Sequence, residues 1–152
     1  MAKKAQLTLQ AGQLITVIDP GVTTGVCQMR YLGKRDFDVL CVVEVPWDRR
    51  FSLREYIKGV QYIVIERFAL YETHKNDMVN NTFPSVQVIG ICDAYMYEYD
   101  MLDRVTFQPA SSMTQVAILP QHEYLVRGSE HKKDAYRHGR YYILMHRDRS
   151  DE

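Results

Sequence analysis

The sequence predicts an α/β domain built on a mixed five-stranded sheet, with three antiparallel strands followed by parallel ones and helices on both faces. Two short apolar runs, residues 14–18 (LITVI) and 62–65 (YIVI), are typical of strands that are buried on both faces of a sheet. Between them, apolar residues flank a turn at Gly33 and Lys34, which predicts a hairpin. Residues 51–60 have helical apolar spacing and link the hairpin to the second run. Such a crossover places the first and fourth strands in parallel.

The remaining elements follow in chain order. The second strand is expected around residues 27–31 and the third over 37–45. Residues 67–82 are polar and without periodicity, so we expect a loop that can reach a ligand. A helix is expected over residues 84–99, because Thr82 is a candidate cap and a proline stands in the first turn. A short strand, a short helix, a connection and the last helix are expected at residues 105–107, 111–117, 119–124 and 129–146.

Length and composition indicate a single domain. The chain has 152 residues, and no repeat, low-complexity tract or linker divides it. Residues 1–12 are expected to form a loose arm. The start lacks a signal-type apolar run and no stretch of about 18 uncharged apolar residues exists, so we expect a cytoplasmic protein without a membrane partner. Cys27, Cys41 and Cys92 each lie in an apolar run, which favours buried side chains over a zinc site or disulfide framework.

Charge is distributed unevenly along the chain. The formal net charge is zero, which by itself argues against a nucleic-acid-binding protein. However, residues 127–149 contain seven Lys and Arg against three acids. We therefore expect one end of the molecule to be basic although the whole is neutral.

Two of the predicted strands end on a carboxylate. Asp19 follows the first apolar run and Glu66 follows the second. If these strands are parallel neighbours, both side chains project from the same edge of the sheet. Close carboxylates repel each other, a divalent cation is a common remedy, and oxygen-only ligands favour magnesium or manganese over zinc. The alternative is that each acid is a solvated residue at a strand end.

The beginning of the last helix supplies further candidate groups. His131 and Asp134 are three residues apart, so they share one face near the start of the helix. Lys132 and Lys133 lie between them and oppose the helix dipole, which favours a nearby polyanion. Alternatively, the lysines form a solvated basic surface, Asp134 complements the dipole, and His131 is a surface or capping residue.

Four stretches stand in a characteristic order: ITVIDPGVTTGVC (15–27), YIVIERF (62–68), FPSVQVIGICDAY (83–95) and HKKDAYRHGRYYIL (131–144). Each is weakly specific alone, but together they span almost all of the domain. Their order and spacing resemble the RuvC-like Holliday-junction resolvases of the RNase H-like nuclease superfamily, especially phage-borne members. The resemblance implies an RNase H-like fold and a bacterial or phage-infected host cell.

The resemblance also implies catalytic roles. Asp19, Glu66 and Asp134 correspond to the family's metal-binding carboxylates, and His131 stands where relatives have another acid or a histidine. Two magnesium ions per site are implied, with manganese as a substitute. His131 would position the attacking water or take its proton. The implied activity is symmetric nicking of four-way or other branched DNA that leaves 5′ phosphates.

A homodimer is implied as well, because a two-fold axis naturally provides two symmetric cuts. Helix 84–99 is the candidate interface, with Gly90 permitting close approach, unless this helix simply packs on its own sheet. Phe68 stands where relatives use an aromatic side chain to open bases, with Tyr71 as a substitute, and a core role for Phe68 stays open. The other candidate DNA contacts are basic: Arg67, Lys75, Lys132, Lys133, Arg137 and Arg140.

The sequence departs from the family after the fifth strand. Many relatives have a functional lysine there, but ASSMTQV (110–116) contains no basic residue, so phosphate contact there must be weaker or supplied by other residues. Three other hypotheses stay open. A nuclease of the same fold that acts on flaps, forks or RNA hybrids has the same metal chemistry, and a catalytically idle DNA-binding module has the same scaffold. An actin-like ATPase has a motif similar to DPGVTTG (19–25), but it needs two domains to enclose a nucleotide.

Overall fold

The computed structural model of the protein describes residues 7–67 and 84–150. Their strands form one five-stranded sheet from β1 (Leu14–Asp19), β2 (Thr23–Gly33), β3 (Asp36–Pro46), β4 (Tyr62–Glu66) and β5 (Val105–Gln108). The order across the sheet is β3-β2-β1-β4-β5. The β1–β2 and β2–β3 pairs are antiparallel, whereas the β1–β4 and β4–β5 pairs are parallel. The predicted mixed sheet is therefore confirmed.

The two central strands are buried because side chains pack against both of their faces. On β1, Ile15 and Val17 belong to one core cluster and Ile18 to the other. On β4, Val64 belongs to the first cluster and Ile65 to the second. Successive side chains of a strand point to opposite faces. A strand that is covered on both faces therefore has a continuous apolar sequence.

The described helices are, in chain order, a 3₁₀ helix (Trp47–Leu53), α1 (Arg54–Ile57), α2 (Pro84–Glu98), 3₁₀ helices at Leu102–Arg104, Ala110–Gln115 and Pro120–His122, α3 (Glu123–Val126) and α4 (Glu130–His146). Helix α2 packs on one face of the sheet through Val88, Cys92 and Met96. Helix α4 packs on the other face through residues that include Ala135 and Tyr142. Helices thus cover both faces, as predicted. None of the described helices is long and apolar enough to cross a membrane.

Three short segments differ from the prediction. Residues 51–60, expected as one helix, form the end of the first 3₁₀ helix and the single turn of α1. The backbone leaves helical geometry at Arg49, and Gly59 has a left-handed φ of 80° just after the turn. The short helix expected at 111–117 is a 3₁₀ helix over Ala110–Gln115, so it begins one position earlier and ends two positions earlier than predicted. The expected connection at 119–124 contains a 3₁₀ helix and the start of α3.

The described part of the expected N-terminal arm, residues 7–12, is packed instead of loose. Leu9 is buried in the core cluster on the α4 side of the sheet. Its backbone N–H donates to the carbonyl of His146 at 2.8 Å, and the N–H of Gly12 donates to the carbonyl of Tyr31 at 2.7 Å. One apolar side chain at the edge of the core, together with these backbone hydrogen bonds, holds this segment in place.

Candidate functional site

Asp19 and Glu66 lie side by side at one edge of the sheet. They are the last residues of the parallel neighbours β1 and β4, whose register pairs Ile18 with Ile65. Their side chains are close enough to shift each other's pKa, and only 12% of the Asp19 side chain and 22% of the Glu66 side chain is exposed. The structure therefore brings the two strand-end acids together in a partly buried position.

The environment shifts the pKa values of the two carboxyl groups in opposite directions. Burial raises the pKa of Asp19 from 3.8 to about 8, and the charges of Glu66 and Asp134 add to the increase. Burial also acts to raise the pKa of Glu66, but hydrogen bonds with His138 and Asp19 outweigh it, so the net pKa is lowered. The raised pKa of Asp19 and the lowered pKa of Glu66 favour a protonated Asp19 beside a charged Glu66. A bound cation could replace this proton.

The first turn of α4 reaches the carboxyl pair because a glycine of β2 lies beneath it. Gly25 pairs with Asp19 across the β1–β2 ladder, and a Cβ on Gly25 would lie 2.7 Å from the carbonyl carbon of His131. Ser129 caps the helix, since its hydroxyl oxygen accepts a backbone N–H of the first turn at 3.1 Å. The same hydroxyl donates to the carboxylate of Glu44 on β3. The glycine and the cap together determine where the helix begins.

His131 and Asp134 both lie beside the carboxyl pair. Nδ1 of His131 is 3.7 Å from Oδ2 of Asp19, and 46% of the histidine side chain is exposed. Burial raises the pKa of Asp134, and the charge of Glu66 adds to the rise. Arg137 opposes this rise, because its Nη1 lies 3.8 Å from Oδ1 of Asp134. Asp134 therefore lies close enough to Glu66 for the two carboxyl groups to influence each other.

The donor chemistry of the site suits a hard divalent cation. Carboxylate oxygens are preferred ligands of Mg²⁺ and Mn²⁺, and a carboxyl pair that retains a proton at neutral pH offers a cation a place. Within residues 7–67 and 84–150, no group of three His, Cys, Asp or Glu side chains is arranged to hold a metal ion. Asp19 and Glu66 are thus the two carboxyl groups placed to bind a cation together. Asp134 faces Arg137 and does not form a three-residue metal site with them in this structure.

Two buried residues that were not predicted to be functional, His138 and Gln108, lie next to Glu66. Nε2 of the fully buried His138 lies 2.9 Å from Oε2 of Glu66. Gln108, the last residue of β5, pairs with Glu66 across the β4–β5 ladder, and its Nε2 lies 3.1 Å from Nδ1 of His138. The four-residue spacing from Asp134 is a signal for His138. No local signal marks Gln108, since a polar residue at a strand end is common.

Several basic side chains lie on or near α4, and one follows β4. Lys133 and Arg137 line a groove of about 450 Å³ together with Arg127. Lys132 is partly exposed in the first turn of the helix, and Arg67 is exposed directly after β4. Arg127 was not among the predicted DNA contacts, although it belongs to the basic end of the chain.

Arg140 has a different environment from the other candidate DNA contacts. Its Nη1 donates to the carbonyl of Ala117 at 2.7 Å, so it holds the segment between two 3₁₀ helices against α4. This contact supports the fold and competes with a phosphate contact. The remaining candidates, Phe68, Tyr71 and Lys75, lie outside the described residues.

No protein-family model matches the sequence, and no curated protein matches it either. Among solved structures, the chain is similar to Thermus thermophilus RuvC in complex with a Holliday junction substrate, with a TM-score of 0.62, 15% identity, and coverage of 88% of this chain and 96% of that chain. It is also similar to the fowlpox virus Holliday junction resolvase, with a TM-score of 0.59, 12% identity, and coverage of 86% and 97%. The complex of the fowlpox virus resolvase with substrate Holliday junction DNA gives a TM-score of 0.59 at 10% identity, with the same coverage. These likenesses show a shared fold, which confirms the expected RuvC-type, RNase H-like architecture.

Proposed function

We propose that this protein is a metal-dependent endonuclease that resolves four-way DNA junctions by two symmetric nicks. The proposal rests above all on the partly buried carboxyl pair of Asp19 and Glu66, with His131 and Asp134 beside it. The fold is shared with a RuvC and with a viral resolvase whose structures contain Holliday junction DNA. Because one fold can host many functions, the carboxyl pair is the stronger support.

In this proposal, Asp19 and Glu66 would hold Mg²⁺, or Mn²⁺ as a substitute. Asp134 would exchange its contact with Arg137 for the cation and so become a further ligand. We propose two ions per site, which would supply an activated water and charge stabilisation of the leaving 3′ oxygen, so that the nick would leave a 5′ phosphate. Asp19 gives up its proton when it becomes a ligand. His131 faces Asp19 with Nδ1, which leaves Nε2 to accept a proton from the attacking water.

The basic beginning of α4 is proposed to contact the phosphate backbone. Lys132 and Lys133 lie in the first turn, where they oppose the positive end of the helix dipole and where phosphates would compensate them. Arg137 extends this surface along the groove, and Arg67 lies next to Glu66 on the other side of the site. We propose three further DNA contacts from the segment that follows: Phe68, Tyr71 and Lys75.

A homodimer is proposed through the outer face of α2. Val86, Gly90, Ala94 and Tyr97 lie on this face at three- and four-residue spacing, and all are exposed. Apart from the neighbouring backbone of its own helix, no described atom lies within 4 Å of a Cβ built on Gly90. A largely apolar helix face that no described residue covers, with a glycine near its centre, fits the same face of a second copy. The resulting two-fold axis would relate two identical sites.

Cleavage of a synthetic four-way junction in Mg²⁺ tests the proposed function, with a linear duplex, a flap and a fork as controls. We expect paired nicks at symmetric positions near the crossover, ends that ligate as 5′ phosphates, and no cutting in EDTA. Asp19→Asn should bind the junction without cutting it. Equal cutting of the linear duplex, or full activity of Asp19→Asn, would contradict the proposal. Preferential cutting of the flap or fork would indicate the same site with another substrate, and binding without cutting would indicate an idle DNA-binding module.

A further inference from the structure

His138 and Gln108 form a closed set of hydrogen bonds behind the carboxyl pair. The imidazole of His138 is fully buried, and its Nε2 lies 2.9 Å from Oε2 of Glu66. The side-chain nitrogen of Gln108 lies 3.1 Å from Nδ1 of His138 and 3.0 Å from the carbonyl oxygen of the same residue. Both ring nitrogens therefore have a partner inside the protein.

The glutamine determines which ring nitrogen of His138 carries the proton. Its amide nitrogen donates to the carbonyl of His138, which can only accept. The opposite orientation of the amide would place two carbonyl oxygens 3.0 Å apart. Because an N–H of Gln108 then faces Nδ1, this ring nitrogen must accept, and the proton resides on Nε2. The Nε2–H group donates to Glu66.

A packing role alone does not require this arrangement. His138 lies four residues after Asp134, on the face of α4 whose other residues, such as Ala135 and Tyr142, belong to the core. An apolar side chain would fill the position without burying two polar ring atoms, which destabilise the fold if they are left unpaired. Instead, the imidazole bridges Glu66 and Gln108, which are partners at the ends of adjacent strands.

We propose that Gln108 and His138 are positioning residues that fix the Glu66 carboxylate for cation binding. Their contribution to cleavage rests on the function proposed above, whereas their effect on the carboxylate does not. The hydrogen bond to Oε2 restricts rotation of the carboxylate and leaves Oε1 for a cation. Partners that orient a metal ligand in this way typically change metal affinity by about 10–100-fold.

Nitrogen NMR of the ¹⁵N-labelled, metal-free protein tests the first link, because protonated and unprotonated ring nitrogens resonate far apart. We expect the proton of His138 on Nε2 in the wild type. Gln108→Met keeps the length of the side chain but removes the donor, so Nδ1–H should become populated in this variant. A proton on Nδ1 of His138 in the wild type, or an unchanged ring in Gln108→Met, would overturn the inference.

Calorimetric titration with Mn²⁺ alone, without DNA, tests the second link. His138→Leu removes the donor to Glu66 and should weaken Mn²⁺ binding by about 10–100-fold. His138→Gln places an amide N–H near the position of Nε2 and should stay within about threefold of the wild type. Wild-type affinity in His138→Leu, or equal losses in both variants, would overturn the inference.

Two further outcomes remain decisive. If circular dichroism shows that His138→Leu does not fold, Mn²⁺ binding is compared between His138→Gln and Gln108→Met instead. Only Gln108→Met should weaken Mn²⁺ binding. Equal affinities of these two variants would overturn the inference. If the NMR and Mn²⁺ results are as expected but the wild type leaves four-way junctions uncut, the proposed nuclease function fails and the positioning role stands.

Discussion

Gly25 lies directly beneath His131, and this contact sets the position of the first turn of α4. A Cβ on Gly25 would lie 2.7 Å from the carbonyl carbon and 3.3 Å from the Cα of His131. These are backbone atoms, so no rotation of a side chain can make room. The same glycine pairs with Asp19 across the β1–β2 ladder. One small residue therefore links the acid on the strand to the helix that presents His131 and Asp134.

We expect Gly25→Ala to lower the free energy of unfolding by about 1–3 kcal/mol, as overpacking does, and to abolish junction cutting. Strand propensity alone predicts that Gly25→Ala increases the free energy of unfolding, because glycine weakens a strand. Urea unfolding and the junction assay measure the two effects. Gly90→Ala is the matched control for stability, since a Cβ at that position meets no described residue within 4 Å beyond the neighbouring backbone of its own helix. Wild-type stability and cutting in Gly25→Ala would show that the helix does not depend on this contact.

The raised pKa of Asp19 should make the metal-free protein less stable as the pH rises. The pKa of this carboxyl is about 8 in the folded protein, against an ordinary value of 3.8. Between these two pH values, the folded state keeps a proton that the unfolded chain releases. The free energy of unfolding should therefore fall between about pH 4 and about pH 8. The pKa of Asp134 is also raised by burial and acts in the same direction, whereas the lowered pKa of Glu66 acts in the opposite one.

Urea unfolding in EDTA at a series of pH values measures this slope. Asp19→Asn has no carboxyl to titrate at this position, so its slope should be flatter and the variant should be more stable than the wild type above about pH 8. His131 and His138 also face the carboxyl pair and are present in both proteins, so the comparison isolates residue 19. Identical slopes for the two proteins would show that Asp19 is ionised in the metal-free fold.

The positions of Asp19 and Glu66 follow from local sequence. A continuous apolar run marks a strand covered on both faces, and the first acid after it marks the edge of the sheet. The role of Gly25 does not follow, because its contact with His131 joins segments far apart in the chain. The pairing of Gln108 with His138 is equally hidden, because it arises only where β5 and α4 meet. Sequence therefore identifies the acids more readily than the residues that hold them.

Short helices are harder to predict from spacing than the strands are. Residues 51–60 have apolar side chains at helical intervals, yet a 3₁₀ helix and one α turn divide them. Apolar spacing records which side of a segment faces the core, and a 3₁₀ helix and an α helix share much of that pattern over one turn. The packed Leu9 is a similar case, because its hydrogen bond to His146 is set by the end of a distant helix.

Gly90 should affect the monomer and the proposed dimer in opposite directions. In the monomer, Gly90→Ala should stabilise α2 by about 0.5–1 kcal/mol, because glycine is costly in mid-helix and the added methyl group has open space. In a dimer that joins two α2 faces, the same methyl group should hold the helices apart and weaken association. Urea unfolding at low protein concentration and analytical ultracentrifugation measure the two effects. Unchanged association would place the interface elsewhere, and a monomeric wild type would remove the proposed homodimer.

Lys132 and Lys133 should contribute phosphate contacts at the beginning of α4. Replacing both with alanine should weaken junction binding and reduce the slope of log affinity against log salt by about 2, because each phosphate contact contributes about one. Fluorescence anisotropy over a range of salt concentrations measures this slope. Lys58→Ala is the matched control, since Lys58 is exposed after α1, near the opposite edge of the sheet.

The double variant should lose binding without losing its fold. The two lysines oppose the helix dipole, so their removal relieves an unfavourable interaction. The ion pair of Lys133 with Glu130, at 3.2 Å, lies at the surface and contributes little in compensation. Thermal unfolding at or above the wild-type midpoint would therefore assign a loss of affinity to the missing charges. A full salt slope in the folded double variant would mean that α4 does not contact phosphate through these lysines.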